Sequence, residues 1–349
     1  MIGGTRVPLE TDLTTPLAYL LQQVPKVSGL SAMLNPELYS FSRLIQLEPF
    51  APDKIPVVFV HGLMSSPLTW ARLFNDLLAD PVLRRRYQFS FFRYATVNPI
   101  LYSASLLRAS LDEFRMKYDP AGTNPYVQNA VICGHSMGDL LTKLMLHTSG
   151  DRLWNLVSDQ PFDEVVTDEE ERELGRRLIF FEAHSFLRRA IFIAVPHRGS
   201  DFAAGWLGHL GAKLITLPST LRGTGVRLVG RIRTRLGGEV DSNVIENEIT
   251  GVRNLSSDNP TLNEVVTWEF PPELPLHSIL GNTAGTTPDG TDGLVSYESS
   301  HIDGVRSEKI VHSGHSAHEH PEAILEVRRI LHLHLQEFDR RQQAARAAK

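Results

Sequence analysis

The sequence contains a single cysteine, no long hydrophobic run and no excess of positive charge, and each absence excludes a class of protein. Cys133 cannot form an internal disulfide, and we expect it to be a buried core thiol. Without 18 consecutive apolar residues, no membrane-spanning helix is expected. The net charge of −5 argues against nucleic acid as the main partner. The first residues do not show a basic segment followed by an apolar one, which is the pattern of an export signal. The sequence alone therefore does not decide the cellular compartment.

The sequence does contain a regular alternation of short apolar runs and amphipathic segments. Its 349 residues, of which 42% are hydrophobic, are enough for one large domain or two. Strand-length apolar runs that alternate with segments of helical spacing predict an α/β class, a doubly wound and mostly parallel sheet. The predicted strands are Ile55–Val60, Phe89–Tyr94, Ala130–Cys133, Ala190–Ala194, Leu276–Leu280 and Glu308–His312, with an edge strand at Arg43–Leu47. The main predicted helices are Leu17–Val24, Trp70–Leu78, Tyr102–Lys117, a helix that ends near His147, and His320–Phe338.

Two insertions interrupt this alternation. We expect an N-terminal arm over residues 1–50 packed on the core, a domain over 51–338 with insertions at about 150–187 and 202–273, and a frayed tail over 339–349. Both insertions should lie near the carboxyl edge of the sheet, which makes them candidates for a lid and a substrate pocket.

Each insertion contains one charged amphipathic segment. In the first, Thr167–Glu170 fits a capping box that begins a helix, and the acidic run is interpreted as its solvated face. In the second, the basic segment 222–238 alternates arginines with apolar residues. This pattern is interpreted as a solvated helix or, alternatively, as a transient contact with an anionic membrane or interface.

The pentapeptide Gly134-His135-Ser136-Met137-Gly138 follows the predicted strand Ala130–Cys133 directly and opens a segment of helical spacing. A strand, a sharp turn and a helix are the context in which Gly-x-Ser-x-Gly forms a nucleophile elbow. The glycines relieve crowding at such a turn, and the start of the helix favours developing negative charge on a substrate. The sequence therefore predicts Ser136 as a catalytic nucleophile.

Four further motifs accompany the elbow: His61-Gly62-Leu63 after the first core strand, Pro196–Ser200, Asp292–Val295, and Gly314-His315 with Pro321 six residues on. With these motifs the chain resembles bacterial α/β-hydrolases of the lipase/esterase type. The resemblance covers residues 55–335. It implies the α/β-hydrolase fold and serine hydrolysis, with triad members in the chain order Ser, Asp or Glu, His.

The resemblance implies a triad of Ser136, Asp292 and His315, because such enzymes keep the acid in an Asp-Gly-Leu/Val-Val segment and the base in a Gly-His pair. Position along the chain alone leaves rivals. These are Asp289 and Asp303 for the acid, and His318, His301 and His312 for the base. Of these, Asp289 and His318 are the serious alternatives.

The same resemblance implies an oxyanion hole formed by the backbone N–H groups of Leu63 and Met137. His61, Gly62 and His135 are expected to border the substrate. One departure from the pattern is Asp139, where similar sequences have glycine. We expect its carboxylate to point into solvent or onto an arginine.

These features predict a serine carboxylic-ester hydrolase, an esterase or lipase, that acts through an acyl-enzyme on a small-molecule or lipid ester. Acyl transfer or amide cleavage on the same triad remains an alternative, as does a non-catalytic binding protein on the same fold. No cofactor and no metal site are expected, and a bound calcium is unsupported by any dense carboxylate cluster. The kind of ester and the oligomeric state stay open.

Overall fold

The computed structural model describes residues 42–96, 98–200, 220–235, 255–257 and 259–347. A seven-stranded sheet lies at its centre, in the order β1-β3-β2-β4-β5-β6-β7. The strands are β1 Arg43–Gln46, β2 Ile55–Val60, β3 Tyr87–Arg93, β4 Ala130–His135, β5 Leu187–Ile193, β6 Leu276–Gly281 and β7 Ser307–Val311. Strand β1 is antiparallel to β3, and the other neighbouring pairs are parallel. The predicted α/β class with a doubly wound, mostly parallel sheet is confirmed.

Helices follow most of the strands and return the chain to the next one. The α-helices of the described residues are α1 Ala71–Ala79, α2 Pro81–Arg86, α3 Ile100–Tyr118, α4 Met137–Met145, α5 Arg152–Asn155, α6 Phe162–Val165, α7 Glu169–Ile179, α8 Val226–Arg235, α9 Pro260–Val266, α10 Tyr297–Ser300 and α11 Pro321–Ala347. A π-helical stretch, Leu221–Gly225, precedes α8.

The central strand β2 explains why both faces of the sheet are covered. Its side chains alternate: Ile55, Val57 and Phe59 belong to one apolar cluster, and Val58 and Val60 to another. The first cluster includes residues of α1 and α11, namely Leu73, Leu77, Val327 and Leu331. The second includes Leu107, Leu111, Leu140 and Leu144 of α3 and α4. Burial of each such side chain contributes about 1.5–3 kcal/mol, so the continuous apolar runs require helices on both sides.

The predicted elements match the structure to within a few residues where the chain is described. The predicted tail is an exception, because α11 continues through Ala347 instead of fraying after Phe338. Polar contacts hold this extension: Asp339 forms a 2.5 Å ion pair with Arg86, and Arg341 donates a 2.9 Å hydrogen bond to the side chain of Asn129. The predicted helix Leu17–Val24, the first 41 residues of the arm and most of the second insertion lie outside the described residues.

The two insertions contact each other, which corrects the interpretation of both charged segments as simply solvated. Asp168 caps α7 by accepting the Glu171 N–H at 3.1 Å, one residue later than the predicted capping box, which begins at Thr167. The Glu171 side chain, however, is fully buried and accepts from the Arg231 guanidinium of α8 at 2.5 Å. Leu228 of α8 packs into the apolar cluster of the first insertion, which contains Trp154, Phe162, Val165 and Val166. The acidic and basic faces therefore pair within the protein.

Candidate active site

Ser136 lies at the turn between β4 and α4, where the backbone adopts an uncommon conformation. Its φ of 54° and ψ of −125° lie in a region that non-glycine residues rarely adopt. The turn is also crowded, since a Cβ atom placed on Gly138 would lie 2.3 Å from the backbone oxygen of Val60. The strand, the strained serine and the helix form the sharp strand-to-helix turn that the sequence predicted. It stands at the carboxyl edge of the parallel strands.

A continuous chain of hydrogen bonds joins Ser136, His315 and Asp292. The Nε2 atom of His315 lies 2.8 Å from Ser136 Oγ, and its Nδ1 lies 2.7 Å from Asp292 Oδ2. An ionised carboxylate accepts hydrogen bonds and donates none, so the proton of His315 lies on Nδ1 when Asp292 is ionised. Nε2 of His315 is then free to accept from the serine hydroxyl. The structure thus brings together the three residues that the resemblance implied as a triad.

The loop around Asp292 fixes its carboxylate. The backbone N–H groups of Leu294 and Val295 donate to Oδ1 at 2.8 and 2.7 Å, which leaves Oδ2 for His315. The residue is only 3% exposed. The rival Asp289 is exposed and accepts from the hydroxyl of Thr287, and the rival Asp303 is an exposed partner of His301. Neither contacts His315.

His318, the rival base, occupies a different position. Its Nε2 lies 2.6 Å from the hydroxyl oxygen of Thr69, and its ring lies 4.0 Å from that of His135. Burial, with a smaller contribution from His315, lowers the pKa of His318 to about 4. The imidazole is therefore neutral near pH 7 and contacts neither Ser136 nor Asp292. The sequence patterns did not single out Thr69, because its contact with His318 joins residues 249 positions apart.

The loop after β2 passes close to Ser136. A Cβ atom placed on Gly62 would lie 2.9 Å from Ser136 Cβ, so only glycine permits this approach. Thr96 holds the loop by accepting the Met64 N–H at 3.1 Å, and the Tyr94 hydroxyl donates to the His61 carbonyl at 2.7 Å. Leu63 stands between these two anchors. On the other side, Met137 is the first residue of α4, whose N–H has no acceptor within the helix.

Two of the three residues expected to border the substrate, His61 and His135, have buried side chains, and the third is Gly62. His61 is fully buried and stacks on Tyr94, at 4.6 Å between ring centroids. His135 is 6% exposed and donates to the backbone carbonyl of His315 at 2.8 Å. Burial lowers the pKa of His61 to about 4 and, with the nearby His318 and His315, lowers that of His135 well below its usual value. We therefore assign both imidazoles to the support of the site instead of to substrate contact.

Asp139 does not point into solvent or onto an arginine, as expected from the sequence. It is fully buried, and its carboxylate accepts the N–H of Ile193 in β5 at 2.8 Å. Burial raises its pKa well above the usual range. The expectation was wrong because position in the first turn of α4 does not reveal that this turn packs against the end of β5.

Gly281, at the end of β6, is a further residue that the motifs did not single out. A Cβ atom there would lie 2.8 Å from the Gly314 carbonyl oxygen and 3.0 Å from Asp292 Cβ. Glycine at this position therefore lets the loops that carry Asp292 and His315 come together. Its place at the end of a predicted strand was the signal that could have found it.

In the described part of the chain, no group of three or more His, Cys, Asp or Glu side chains is arranged to hold a metal ion. None of the helices in that part combines the length and apolarity that crossing a bilayer requires.

The chain has the α/β-hydrolase fold. Neither a protein-family model nor a curated protein matches the sequence. Among solved structures, the mature lipase of Bacillus licheniformis is 15% identical over 82% of this chain and 97% of that chain, with a TM-score of 0.41. A lipase-esterase related protein from Clostridium acetobutylicum is 12% identical over 83% and 99%, with a TM-score of 0.43. An α/β hydrolase fold protein from Burkholderia ambifaria is 15% identical over 81% and 92%, with a TM-score of 0.43.

Proposed function

We propose that the protein is a serine hydrolase of carboxylic esters, an esterase or lipase. The observation that carries this proposal is the hydrogen-bond chain from Ser136 through His315 to Asp292, with links of 2.8 and 2.7 Å. A serine hydroxyl is a poor nucleophile unless a base in hydrogen-bond reach takes its proton. Here such a base is present, and a buried carboxylate orients it.

The first half of the reaction forms an acyl-enzyme. Ser136 Oγ attacks the ester carbonyl while its proton passes to His315 Nε2. Asp292, ionised, stabilises the imidazolium through its bond to Nδ1. The backbone N–H groups of Leu63 and Met137 bind the oxygen on which negative charge develops. Collapse of the tetrahedral intermediate breaks the ester C–O bond, and His315 returns its proton to the departing alcohol.

Water completes the reaction. His315 takes a proton from a water molecule, which attacks the acyl-enzyme carbonyl. Collapse of the second tetrahedral intermediate breaks the bond between the acyl carbon and Ser136 Oγ, and His315 returns its proton to that oxygen. The carboxylic acid leaves the site and ionises in water. These steps use only groups of this chain and the two substrates, ester and water.

A fluorophosphonate probe tests the nucleophile without knowledge of the natural ester. We expect stoichiometric modification of Ser136 and no modification of Ser136→Ala. The same variant should lose about 10⁴-fold of the turnover on p-nitrophenyl butyrate, since triad members act as a unit. A protein that neither reacts with the probe nor cleaves p-nitrophenyl esters of two to sixteen acyl carbons would contradict the proposal.

Product analysis distinguishes hydrolysis from the two related reactions. With p-nitrophenyl butyrate in water and in added ethanol, we expect butyrate as the main product in both. Predominant ethyl butyrate would indicate an acyltransferase. Faster cleavage of the matched anilide than of the ester would indicate an amidase.

A further inference from the structure

A cavity of about 500 Å³, bordered by both charged and aromatic side chains, lies between α3 and residues 177–186. Helix α3 contributes Arg108, Asp112 and Arg115 to its wall, and the facing segment contributes Phe181 and His184. This segment leads into the amino end of β5, whereas Ser136 follows the carboxyl end of β4. Because these strands are parallel, the cavity lies at the opposite edge of the sheet from the candidate triad.

Arg108 is the unusual residue of this wall. It is 7% exposed, and its guanidinium carbon lies 3.9 Å from the centre of the Phe181 ring. One Nη2–H donates to the Arg177 carbonyl at 3.2 Å, while the buried Nη1 has no hydrogen-bond partner. Burial lowers the pKa of Arg108 to about 10, so the side chain is still charged at pH 7. A buried cation with unused donors is destabilising unless an acceptor meets it.

The charges around Arg108 do not supply that acceptor. No carboxylate in the described part of the chain forms an ion pair with it. Asp112 is the nearest candidate, but its side chain is 58% exposed and lies 3.8 Å from His184 Nδ1. Glu182 is exposed and accepts the hydroxyl of Thr148 at 2.7 Å.

Other donors converge on the same space. Arg115 and Arg177 also line the cavity, so that three guanidinium groups stand against the two carboxylates of Asp112 and Glu182. Guanidinium groups bind the paired oxygens of carboxylates and phosphates through parallel N–H donors.

We propose that this cavity binds a small organic oxyanion, a carboxylate or a phosphate ester, through Arg108 and Arg115. Its volume lies in the range of small-molecule pockets. The site is separate from the proposed ester hydrolysis, and its occupancy stabilises the folded chain whatever reaction Ser136 performs.

Thermal unfolding of the full chain tests the site with two probes, sodium benzoate and phenyl phosphate, in separate titrations. Sodium chloride keeps the ionic strength constant. We expect a saturable rise of Tm, and the probe with the lower half-saturation concentration identifies carboxylate or phosphate as the preferred group. Arg115→Gln should raise that concentration about tenfold or more. Arg85→Gln, which removes an exposed arginine of α2, should leave it unchanged.

Arg108→Lys provides the second variant, because it keeps the charge and removes the planar pair of donors. We expect it to weaken saturation at least as much as Arg115→Gln; should it fail to fold, Arg115→Gln decides alone. The absence of a saturable rise with both probes would overturn the proposal. A rise that is the same in Arg115→Gln and Arg85→Gln would overturn it too, since the probe would then bind elsewhere, the triad included.

Discussion

His135 donates a hydrogen bond from Nε2 to the backbone carbonyl oxygen of His315, at 2.8 Å. The residue directly before the proposed nucleophile thus holds the backbone of the proposed base, 180 positions along the chain. Because His135 and Ser136 share one turn, the bond ties the loop after β7 to the elbow. The 2.8 Å distance between Ser136 and His315 depends on that link.

Removal of this donor should misplace His315 without removing any group that reacts. We expect His135→Phe, which keeps an aromatic ring, to lower kcat about 10- to 100-fold with little change in KM. His135→Gln retains an N–H donor at similar reach and should recover most of that loss. Steady-state kinetics on p-nitrophenyl butyrate measure both. Equal losses in the two variants would indicate a packing role in place of a positioning role.

The identity of the base is tested by a pair of histidines three positions apart. His315→Ala should lose about as much turnover as Ser136→Ala, and the double variant little more, since triad losses are not additive. His318→Ala removes the contact to Thr69 and the ring beside His135, and should cost at most about tenfold. The reverse ranking of the two single variants would show that the proposed base is wrong.

The elbow and the sheet could be predicted from the sequence because their signals are local. A strand such as Ile55–Val60 needs only its own apolar residues, and the structure gives it the same bounds. The choice of Asp292 over Asp289 needed a resemblance, since both precede a glycine on one loop. The loop's backbone decides between them by directing two N–H groups at Asp292.

The environment of Asp139 and the pairing of the insertions could not be predicted, because both depend on residues distant in the chain. Asp139 meets the backbone of β5 at a distance of 54 positions, and Glu171 meets Arg231 at a distance of 60. Each carboxylate, taken alone, has the pattern of a solvated residue in the first turn of a helix. Whether either carboxylate is buried depends on how the helices and strands pack against each other, which the local sequence does not reveal.

Two replacements of Asp139 test whether its hydrogen bond to the N–H of Ile193 stabilises the fold. Asp139→Ala leaves the buried N–H of Ile193 without an acceptor and should lower the free energy of unfolding by about 1–3 kcal/mol. Asp139→Asn keeps an oxygen in nearly the same place and should lose less. Urea unfolding measures both variants. If Asn destabilises as strongly as Ala, the acceptor oxygen is not what Asp139 contributes to stability.

The contact between the insertions should respond to the loss of a single buried carboxylate. Glu171→Gln keeps the shape but removes the charge that pairs with Arg231 at 2.5 Å. We expect faster tryptic cleavage at Arg227 and Arg231, followed by mass spectrometry. Glu169→Gln is the matched control, because this neighbouring side chain is 81% exposed. Equal cleavage rates in the two variants would show that the ion pair between Glu171 and Arg231 does not hold α8 in place.

Acid should destabilise the fold through histidines that are buried in the neutral form. Arg189, fully buried, donates from Nε to His334 Nδ1 at 3.0 Å and so requires this nitrogen to be unprotonated. Burial, with the charge of Arg189 as a smaller cause, lowers the pKa of His334 to about 3. In the unfolded chain the residue titrates near pH 6.5.

The direction of this pH dependence follows from the number of protons that the folded and unfolded chains bind. Between pH 6.5 and about pH 3 the unfolded chain carries a proton on His334 that the folded chain lacks, so the free energy of unfolding falls as the pH falls. Each such histidine contributes a slope of about 1.4 kcal/mol per pH unit in this window. Urea unfolding from pH 7 to pH 5 should therefore show a steeper slope for the native chain than for His334→Gln, by about one proton. The variant keeps an acceptor for Arg189 but cannot titrate. An identical slope in both would mean that His334 takes up its proton in the folded protein, and that Arg189 does not hold it neutral.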